Sequence, residues 1–202
     1  ETTKLLLGKG ARRILSAFPE VISFIFPALT EEMICRAAAL VERCPRDAEM
    51  RYAVLFSELD AKEEERMISS MKPSRAEKNA VLRYSVYENY RNYLDCEYEV
   101  RRLISETDDG FVFSLTDMQL SRGVITDEEY AAVREMISEI IEKNLPRKLS
   151  DLAVDGKTLM SIGYAGADIG HELTRLLDDV MRGRCENTAE ELSERARRDR
   201  TQ

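Results

Sequence analysis

The stretch from Leu149 to Gly170 reads LSDLAVDGKTLMSIGYAGADIG and is the most informative part of the chain. Its apolar residues follow helical spacing on both sides of Gly163 and Gly166, which predicts a short helix, a glycine turn and a second, longer helix. Glycine at these two positions permits a positive φ or a close approach of another backbone. The stretch therefore predicts a tightly turned pair of helices.

The start of the second helix is the first candidate binding site. The first N–H groups of a helix have no partner within the helix, and the helix dipole favours negative charge there. An RNA phosphate could occupy this position. The other interpretation is structural, in that the glycines simply let two helices cross closely. The local sequence is compatible with both.

Helical spacing also dominates the rest of the chain. Good helix starts stand at Thr30, Asp47, Ser74 and Thr126, where a side-chain oxygen can accept a hydrogen bond from the first turn. No stretch alternates as a strand would, so the predicted fold class is all-α. The predicted helices cover residues 11–18, 30–41, 47–59, 61–71, 74–90, 97–106, 111–119, 126–146, 168–181 and a short terminal helix from 187, with a turn at 108–110.

The composition limits the class of protein. The chain has 202 residues, of which 44% are hydrophobic and 34% are charged, enough for one large domain or two small ones with a packed core. The net charge of −8 argues against a protein that coats nucleic acid non-specifically, but it allows a local basic stripe because salt screens distant charges. The chain begins at Glu1 rather than Met, which suggests an excised domain.

The cysteines and the apolar runs predict a cytoplasmic protein. Cys35, Cys44, Cys96 and Cys185 form no C-x-x-C pair, so we expect free thiols in a reducing compartment. The longest apolar run, residues 21–26, is too short to cross a bilayer, and no secretory signal is recognisable. No membrane association is expected.

The Leu149–Gly170 stretch and its continuation resemble the tail-domain signature of the bacterial tRNA nucleotidyltransferases, the CCA-adding and poly(A) polymerase family. Thr158 departs from the usual Asp of that signature, which predicts a weaker local helix cap. The matching positions are Asp151, Leu152, Val154, Gly156, Leu159, Met160, Gly163, Tyr164, Gly166, Ile169, Gly170, Leu173, Leu176, Leu177, Val180, Gly183 and Asn187.

Two further segments are similar to the same family. Residues 100–115 (VRRLISETDDGFVFSL) look like its body-domain segment, and residues 18–27 (FPEVISFIFP) look like a stretch before its HD subdomain. The resemblance spans about residues 14–190. It implies a poly(A) polymerase C-terminal-region-like fold with a degenerate HD-like segment at 1–60, a helical body at 61–125 and a helical tail at 126–202.

The family's catalytic features are not recognisable in this chain. Its head domain holds Mg²⁺ through an Asp-x-Asp pair on a strand and uses CTP or ATP, whereas the pairs Asp108–Asp109 and Asp178–Asp179 lie in turn or helical context, as solvated faces. Ser57 stands where the HD motif has a metal-binding histidine. The only histidine, His171, is expected at the surface. We therefore expect no catalytic residue, metal or cofactor in this chain itself.

The resemblance implies tRNA as the partner, held through phosphates and shape, together with a nucleotidyltransferase head on the same polypeptide. Arg101, Arg102 and Arg83 could extend a basic stripe, as could the terminal Arg195, Arg197, Arg198 and Arg200, unless these are solvated charges. Tyrosines at 84, 87, 90 and 93 could stack bases, but a mixture of core and rim positions is the simpler interpretation. The predicted RNA-binding residues are Lys143, Arg147, Lys148, Lys157, Gly163, Tyr164, Gly166 and Gly170.

Three other functions are compatible with the sequence. The first is a stand-alone helical interaction or regulatory module derived from the same family, which the acidic net charge and Ser57 favour. The second is a helix-hairpin-helix DNA binder based on the Gly163–Gly166 turn, although that motif has a tighter glycine spacing. The third, a metallohydrolase, has the least support. A tRNA-binding region remains the leading prediction.

Overall fold

A computed structural model describes residues 1–200, and all regular structure in that range is helical. The predicted all-α class is confirmed. Two short 3₁₀ helices lie at Asn92–Leu94 and Leu149–Asp151. The α-helices are α1 (Thr2–Leu7), α2 (Ala11–Ala17), α3 (Pro19–Ile25), α4 (Glu31–Arg43), α5 (Ala48–Phe56), α6 (Ala61–Ser70), α7 (Arg75–Tyr87), α8 (Glu97–Glu106), α9 (Asp109–Arg122), α10 (Asp127–Glu142), α11 (Gly156–Ile162), α12 (Ala167–Met181) and α13 (Ala189–Arg200).

The chain divides into two compact units, and each combines two separate stretches of sequence. Unit 1 contains residues 1–90 and 113–131, and unit 2 contains residues 91–112 and 132–202. The predicted division at residues 60 and 125 followed the family resemblance, and it remains a prediction. Across residues 1–200, every helix is too short or too polar to cross a membrane.

Side-chain caps start most of the helices that the sequence predicts. The Thr30 hydroxyl accepts from the Met33 N–H at 3.2 Å, and Asp47 accepts from the Met50 N–H at 2.7 Å. Ser74 and Glu77 form a reciprocal capping box, since each side chain accepts from the other residue's backbone N–H. These polar residues decide where α4, α5 and α7 begin.

The core of unit 1 forms where α2 and α3 pack on α4, and where α5 packs on α7. Phe26 and Phe56 meet edge to face with ring centroids 5.1 Å apart, and both are fully buried. Burying aromatic rings of this size removes a large apolar area from water, which is the main driving force for folding. The apolar stripes of α4 and α5 thus provide the centre of unit 1.

Arg51 is buried in unit 1 with only 3% of its surface exposed. Its guanidinium donates to the carbonyl oxygens of Cys44 at 2.7 Å and Pro45 at 2.8 Å, and to that of Leu6. Burial lowers the pKa of this guanidinium. Because all three acceptors are backbone carbonyls, Arg51 fastens the end of α1 and the turn after α4 to α5.

The core of unit 2 is built on α11, α12 and α13. Its fully buried members include Leu159, Leu176 and Leu192, one from each of these helices. Arg101, 5% exposed, donates through Nε to the Pro146 carbonyl at 2.9 Å. A buried arginine bound to backbone carbonyls therefore occurs in each unit.

Two short helices were not predicted, and one local prediction was wrong. The unpredicted helices are α1, at residues 2–7, and α3, at residues 19–25. Residues 108–110 are a helix start rather than a turn, because the Asp108 carboxylate accepts from the Phe111 N–H at 2.7 Å and α9 begins at Asp109. Asp is common both in turns and at N-caps, so its presence alone did not distinguish them.

Candidate nucleic-acid interface

The predicted glycine turn joins α11 to α12 in unit 2. Gly163 ends α11 in the left-handed region with φ of 104°, and Gly166 precedes α12 with φ of 58°. The Tyr164 hydroxyl donates to the Ala196 carbonyl at 2.9 Å, and Arg200 donates to the Ile162 carbonyl. The turn is therefore held against α13 by bonds from both sides.

Asp155 caps the start of α11. Its carboxylate accepts from the backbone N–H and the hydroxyl of Thr158, each at 2.9 Å, and these bonds lower the pKa of Asp155. The cap is thus formed with Thr158 at this position, and the threonine hydroxyl is a second donor to the same oxygen. A cap weaker than that of the family signature stays a prediction.

The first turns of α11 and α12 lie beside each other. A Cβ added to Gly156 would lie 3.3 Å from Cγ2 of Ile169, so these two helix starts are in contact. No side chain caps α12, and the N–H groups of Ala167 and Ile169 have no acceptor within residues 1–200. The exposed Lys157 follows Gly156 directly. Asp168 is the one acidic residue in the first turn of α12.

Gly166 and Gly170 are not explained by tight packing. A Cβ added at either position would meet nothing within 4 Å in the described part of the chain, unlike one at Gly156. Gly166 has a conformational reason to be glycine, namely its positive φ, whereas Gly170 lies inside α12. The surface over the start of α12 is therefore open, with a glycine where a side chain could have covered it.

The lysines and the arginine that were predicted to bind RNA just before the glycine turn differ in whether they form ion pairs. Lys143 forms an ion pair with Glu139 at 2.5 Å, and Arg147 forms one with Asp109 at 3.0 Å while its side chain is 12% exposed. Lys148 is exposed and has no ion-pair partner among residues 1–200. Lys148 and Lys157 therefore form no ion pair in the described part of the chain, although the charge of Lys157 helps to lower the pKa of the Asp155 carboxyl.

A buried carboxylate binds several arginines around α12 and α13. Asp179 is 4% exposed and accepts from Arg175 at 2.9 Å, Arg184 at 3.2 Å and Arg195 at 2.9 Å. The prediction that Asp178–Asp179 is a solvated face was wrong for Asp179. Arg195, expected as a possible phosphate contact, is held in this internal network, while Arg197 and Arg198 lie exposed on α13.

The expected stripe along α8 is not formed as predicted. Arg101 is buried, so it is not part of a surface, and Arg102 pairs with Glu99 at 3.3 Å and Glu106 at 3.5 Å. Arg83, on α7, is half-buried. Helical spacing alone did not reveal that the Arg101 side chain enters the core.

The tyrosine series has the core-and-rim character that the spacing suggested. Tyr84 and Tyr93 are buried, at 6% and 0% exposure. Burial raises the pKa of Tyr84 to about 12. Tyr87 and Tyr90 are half-buried and contact each other edge to face, with ring centroids 5.6 Å apart. The residues therefore do not form one exposed platform.

Ser57, which stands in place of a metal-binding histidine of the HD motif, makes a hydrogen bond within its own helix end. The Ser57 hydroxyl donates to the Val54 carbonyl at 3.0 Å at the end of α5. His171 is exposed, as predicted. Among the described residues, no group of three or more His, Cys, Asp or Glu side chains is arranged to hold a metal ion.

Comparison with protein-family models, with curated proteins and with solved structures gave no match. The functional assignment therefore depends on the residues and their geometry.

A second basic region, which was not predicted, lies in unit 1. Lys9, Arg12 and Arg13 line an open cavity of about 810 Å³ against the end of α4. The signal in the sequence is the Gly8-Lys9-Gly10 break followed by the adjacent Arg12 and Arg13.

Proposed function

We propose that this chain is the tRNA-binding, non-catalytic C-terminal region of a CCA-adding tRNA nucleotidyltransferase-like protein, with a poly(A) polymerase C-terminal-region-like fold and a cytoplasmic location. A head domain on the same polypeptide would supply Mg²⁺ binding and the use of CTP or ATP. Unit 2 would hold the acceptor stem and elbow of the tRNA through phosphates and shape.

The observation that carries this proposal is the open, uncapped start of α12. The N–H groups of Ala167 and Ile169 lack acceptors in the described range, and Gly170 leaves the surface above them clear. A phosphate oxygen is a good acceptor for such N–H groups, and the helix dipole adds to the attraction. Lys157 follows Gly156, which contacts the start of α12, and Lys148 is a second exposed lysine without an ion pair in the same unit.

Fluorescence anisotropy with a labelled tRNA tests this proposal. We expect binding at low salt that weakens steeply between about 50 mM and 200 mM salt, because phosphate contacts release counterions. The Lys148→Glu/Lys157→Glu variant should bind more weakly and show a salt slope smaller by about two. Gly170→Ala should also weaken binding, since its methyl group covers the start of α12.

Lys62→Glu is the matched control, because Lys62 is an exposed lysine on α6, in the other unit. It should change tRNA affinity little. Absence of tRNA binding by the unaltered protein at the lowest salt concentration would overturn the proposal.

A second candidate is a stand-alone helical interaction module, and the exposed apolar face of α3 favours it. Phe24 is 86% exposed, Phe18 is 54% exposed and Val21 is 50% exposed. Contiguous apolar side chains at a surface often mark an interaction site. The low-salt titration separates the two candidates, because the interaction module predicts no tRNA binding at any salt concentration.

A further inference from the structure

The basic cavity in unit 1 has positive charges that the protein itself does not neutralise. Lys9, Arg12 and Arg13 are exposed, and none has a carboxylate within ion-pair distance in the described range. Ser16 and Glu42 also line this cavity. A single carboxylate therefore faces three cations, which leaves a net positive site in a chain whose net charge is −8.

The basic surface continues past Glu42 along the end of α4. Glu42 also lines a neighbouring cavity of about 450 Å³, together with Arg43, Arg46 and Asp117. Arg43 and Arg46 are exposed and have no ion-pair partner among residues 1–200. Asp117 accepts a hydrogen bond from the Tyr130 hydroxyl at 2.9 Å.

The two cavities together form what we call the α2–α4 cleft. Its exposed cations without an ion pair outnumber its carboxylates by five to two, the cations being Lys9, Arg12, Arg13, Arg43 and Arg46 and the carboxylates Glu42 and Asp117. Like charges at this density repel one another, and a ligand with several negative charges would relieve that repulsion. A row of phosphates fits this requirement better than a single anion.

This arrangement differs from that of the arginines in unit 2. Arg175, Arg184 and Arg195 share the buried Asp179. Neutralisation inside the protein leaves little charge there for a ligand. The uncompensated guanidinium groups in the α2–α4 cleft are therefore the stronger candidates for phosphate contacts, because Arg binds phosphate oxygens in a planar, two-bonded geometry.

Exposed aromatic rings follow the cleft in the sequence. Phe18 comes directly after Ala17, which lines the first cavity, and its side chain is 54% exposed. Phe24 lies six residues later, in α3, and is 86% exposed. Proteins that bind single-stranded nucleic acid combine a positively charged groove with aromatic rings on which bases stack.

We propose that the α2–α4 cleft binds the phosphodiester backbone of a single-stranded RNA segment, with a base stacked on Phe18. This inference rests on the proposed function in taking RNA as the ligand, but it assigns a separate surface in the other unit. Unpaired bases are required because a duplex does not offer its base faces to an aromatic side chain.

The test compares the binding of labelled single-stranded oligo(U) and of a blunt-ended, fully paired RNA duplex by anisotropy. Arg12→Glu/Arg13→Glu should weaken oligo(U) binding by about tenfold or more and lower the salt slope by about 1.4, since each phosphate contact on a single strand contributes about 0.7. Phe18→Leu should weaken oligo(U) binding and leave binding of the duplex unchanged. Lys62→Glu/Arg66→Glu, a double reversal on α6 in the same unit, should bind oligo(U) like the unaltered protein.

Circular dichroism must show that the variants keep the helical signal and thermal midpoint of the unaltered protein, and Arg12→Gln/Arg13→Gln replaces the reversal if it does not fold. The inference is overturned if oligo(U) binds unchanged to either double variant of Arg12 and Arg13, if the unaltered protein does not bind oligo(U), or if it binds anionic phosphatidylserine vesicles but not oligo(U). If tRNA binding is lost in Lys148→Glu/Lys157→Glu but oligo(U) binding is unchanged in the Arg12 and Arg13 variants, the proposed function is supported and the α2–α4 cleft proposal is overturned. The two proposals can therefore fail independently.

Discussion

Asp179 accepts a hydrogen bond from Nε of Arg195 at 2.9 Å, which joins α12 to α13 across the core of unit 2. Only 6% of the Asp179 side chain is exposed, whereas 27% of the Arg195 side chain is exposed. A buried carboxylate with several arginine donors is well compensated, but removing it leaves those donors without an acceptor.

We therefore expect Asp179→Ala to lower the free energy of unfolding by about 2–3 kcal/mol, the cost of losing hydrogen bonds to a buried charged group. Urea denaturation followed by circular dichroism measures this change. Glu190→Ala, an exposed acid on α13, is the control and should leave the transition midpoint in place. Equal midpoints for the two variants would show that the arginine network does not stabilise unit 2.

Arg51 has the corresponding role in unit 1, with backbone carbonyls as its acceptors. Arg51→Met keeps much of the apolar volume but removes every bond to Leu6, Cys44 and Pro45. We expect a loss of about 3 kcal/mol or more in the free energy of unfolding, because buried carbonyls are left unsatisfied.

Limited proteolysis gives a second measure of Arg51→Met, since α1 should become cleavable when its tie to α5 is removed. The exposed Arg36, which pairs with Glu58 at 2.6 Å, provides the control Arg36→Met. That substitution should change stability little because surface ion pairs contribute little. If the protease does not cleave α1 in Arg51→Met, Arg51 does not hold α1 against α5.

Glu64 gives unit 1 a pH-dependent stability. Its side chain is buried, and burial raises its pKa, assisted by the nearby negative charge of Glu88 and opposed by the hydrogen bond from Ser85. Because the folded state holds this proton more tightly than the unfolded state, stability falls as pH rises from the unfolded pKa of Glu64 through its folded pKa.

Glu64→Gln should therefore increase the free energy of unfolding at neutral pH and flatten its pH dependence above the unfolded pKa of Glu64. Glu65 provides a contrast of opposite sign, since the hydrogen bond and charge of Lys78 lower its pKa. The Glu65 contribution is present at neutral pH and is lost as pH falls. Urea titrations at a series of pH values measure both, and a destabilised Glu64→Gln at pH 7 would count against the prediction.

Gly163 and Gly170 form a matched pair of substitutions within the same helical hairpin. Gly163→Ala should cost about 1–2 kcal/mol, because a Cβ is unfavourable at a φ of 104°. It would also displace the guanidinium of Arg200, whose Nη2 would lie 2.7 Å from that Cβ. Gly170→Ala should add up to about 1 kcal/mol of stability, because alanine is a better helix former and the position is open.

Thermal denaturation of the two variants gives the comparison directly. A destabilising Gly170→Ala would mean that the position is constrained by packing within the protein. In that case, the openness of the α12 surface would no longer support a binding site.

Much of the fold followed from local sequence rules. α4 and α7 begin and end within a few residues of their predicted bounds, because a polar cap and an apolar stripe in the same segment favour the same helix. α1 and α3 were missed since each is a short helix of six or seven residues with little periodicity to detect. Whether an arginine such as Arg101 enters the core depends on tertiary contacts, which spacing does not describe.

Local sequence rules also predicted part of the candidate site, the glycine turn between α11 and α12. The positive φ values at Gly163 and Gly166 were expected from glycine's conformational freedom, and the structure has both. Whether each basic side chain forms an ion pair was not predictable from the sequence, because the partners of Arg147 and Arg195 are distant in the chain, at Asp109 and Asp179. For the same reason, the sequence did not indicate that Arg12 and Arg13 have no ion-pairing carboxylate in the described range.

The interleaving of the two units has a consequence for how the chain is made. Unit 1 needs residues 113–131, which a ribosome delivers only after residues 91–112 of unit 2 have been synthesised. Neither unit is therefore complete before translation has passed beyond residue 131. A nascent chain stopped at residue 90 would carry part of the first core exposed to solvent, which makes the helices of residues 1–90 a natural substrate for chaperones during synthesis.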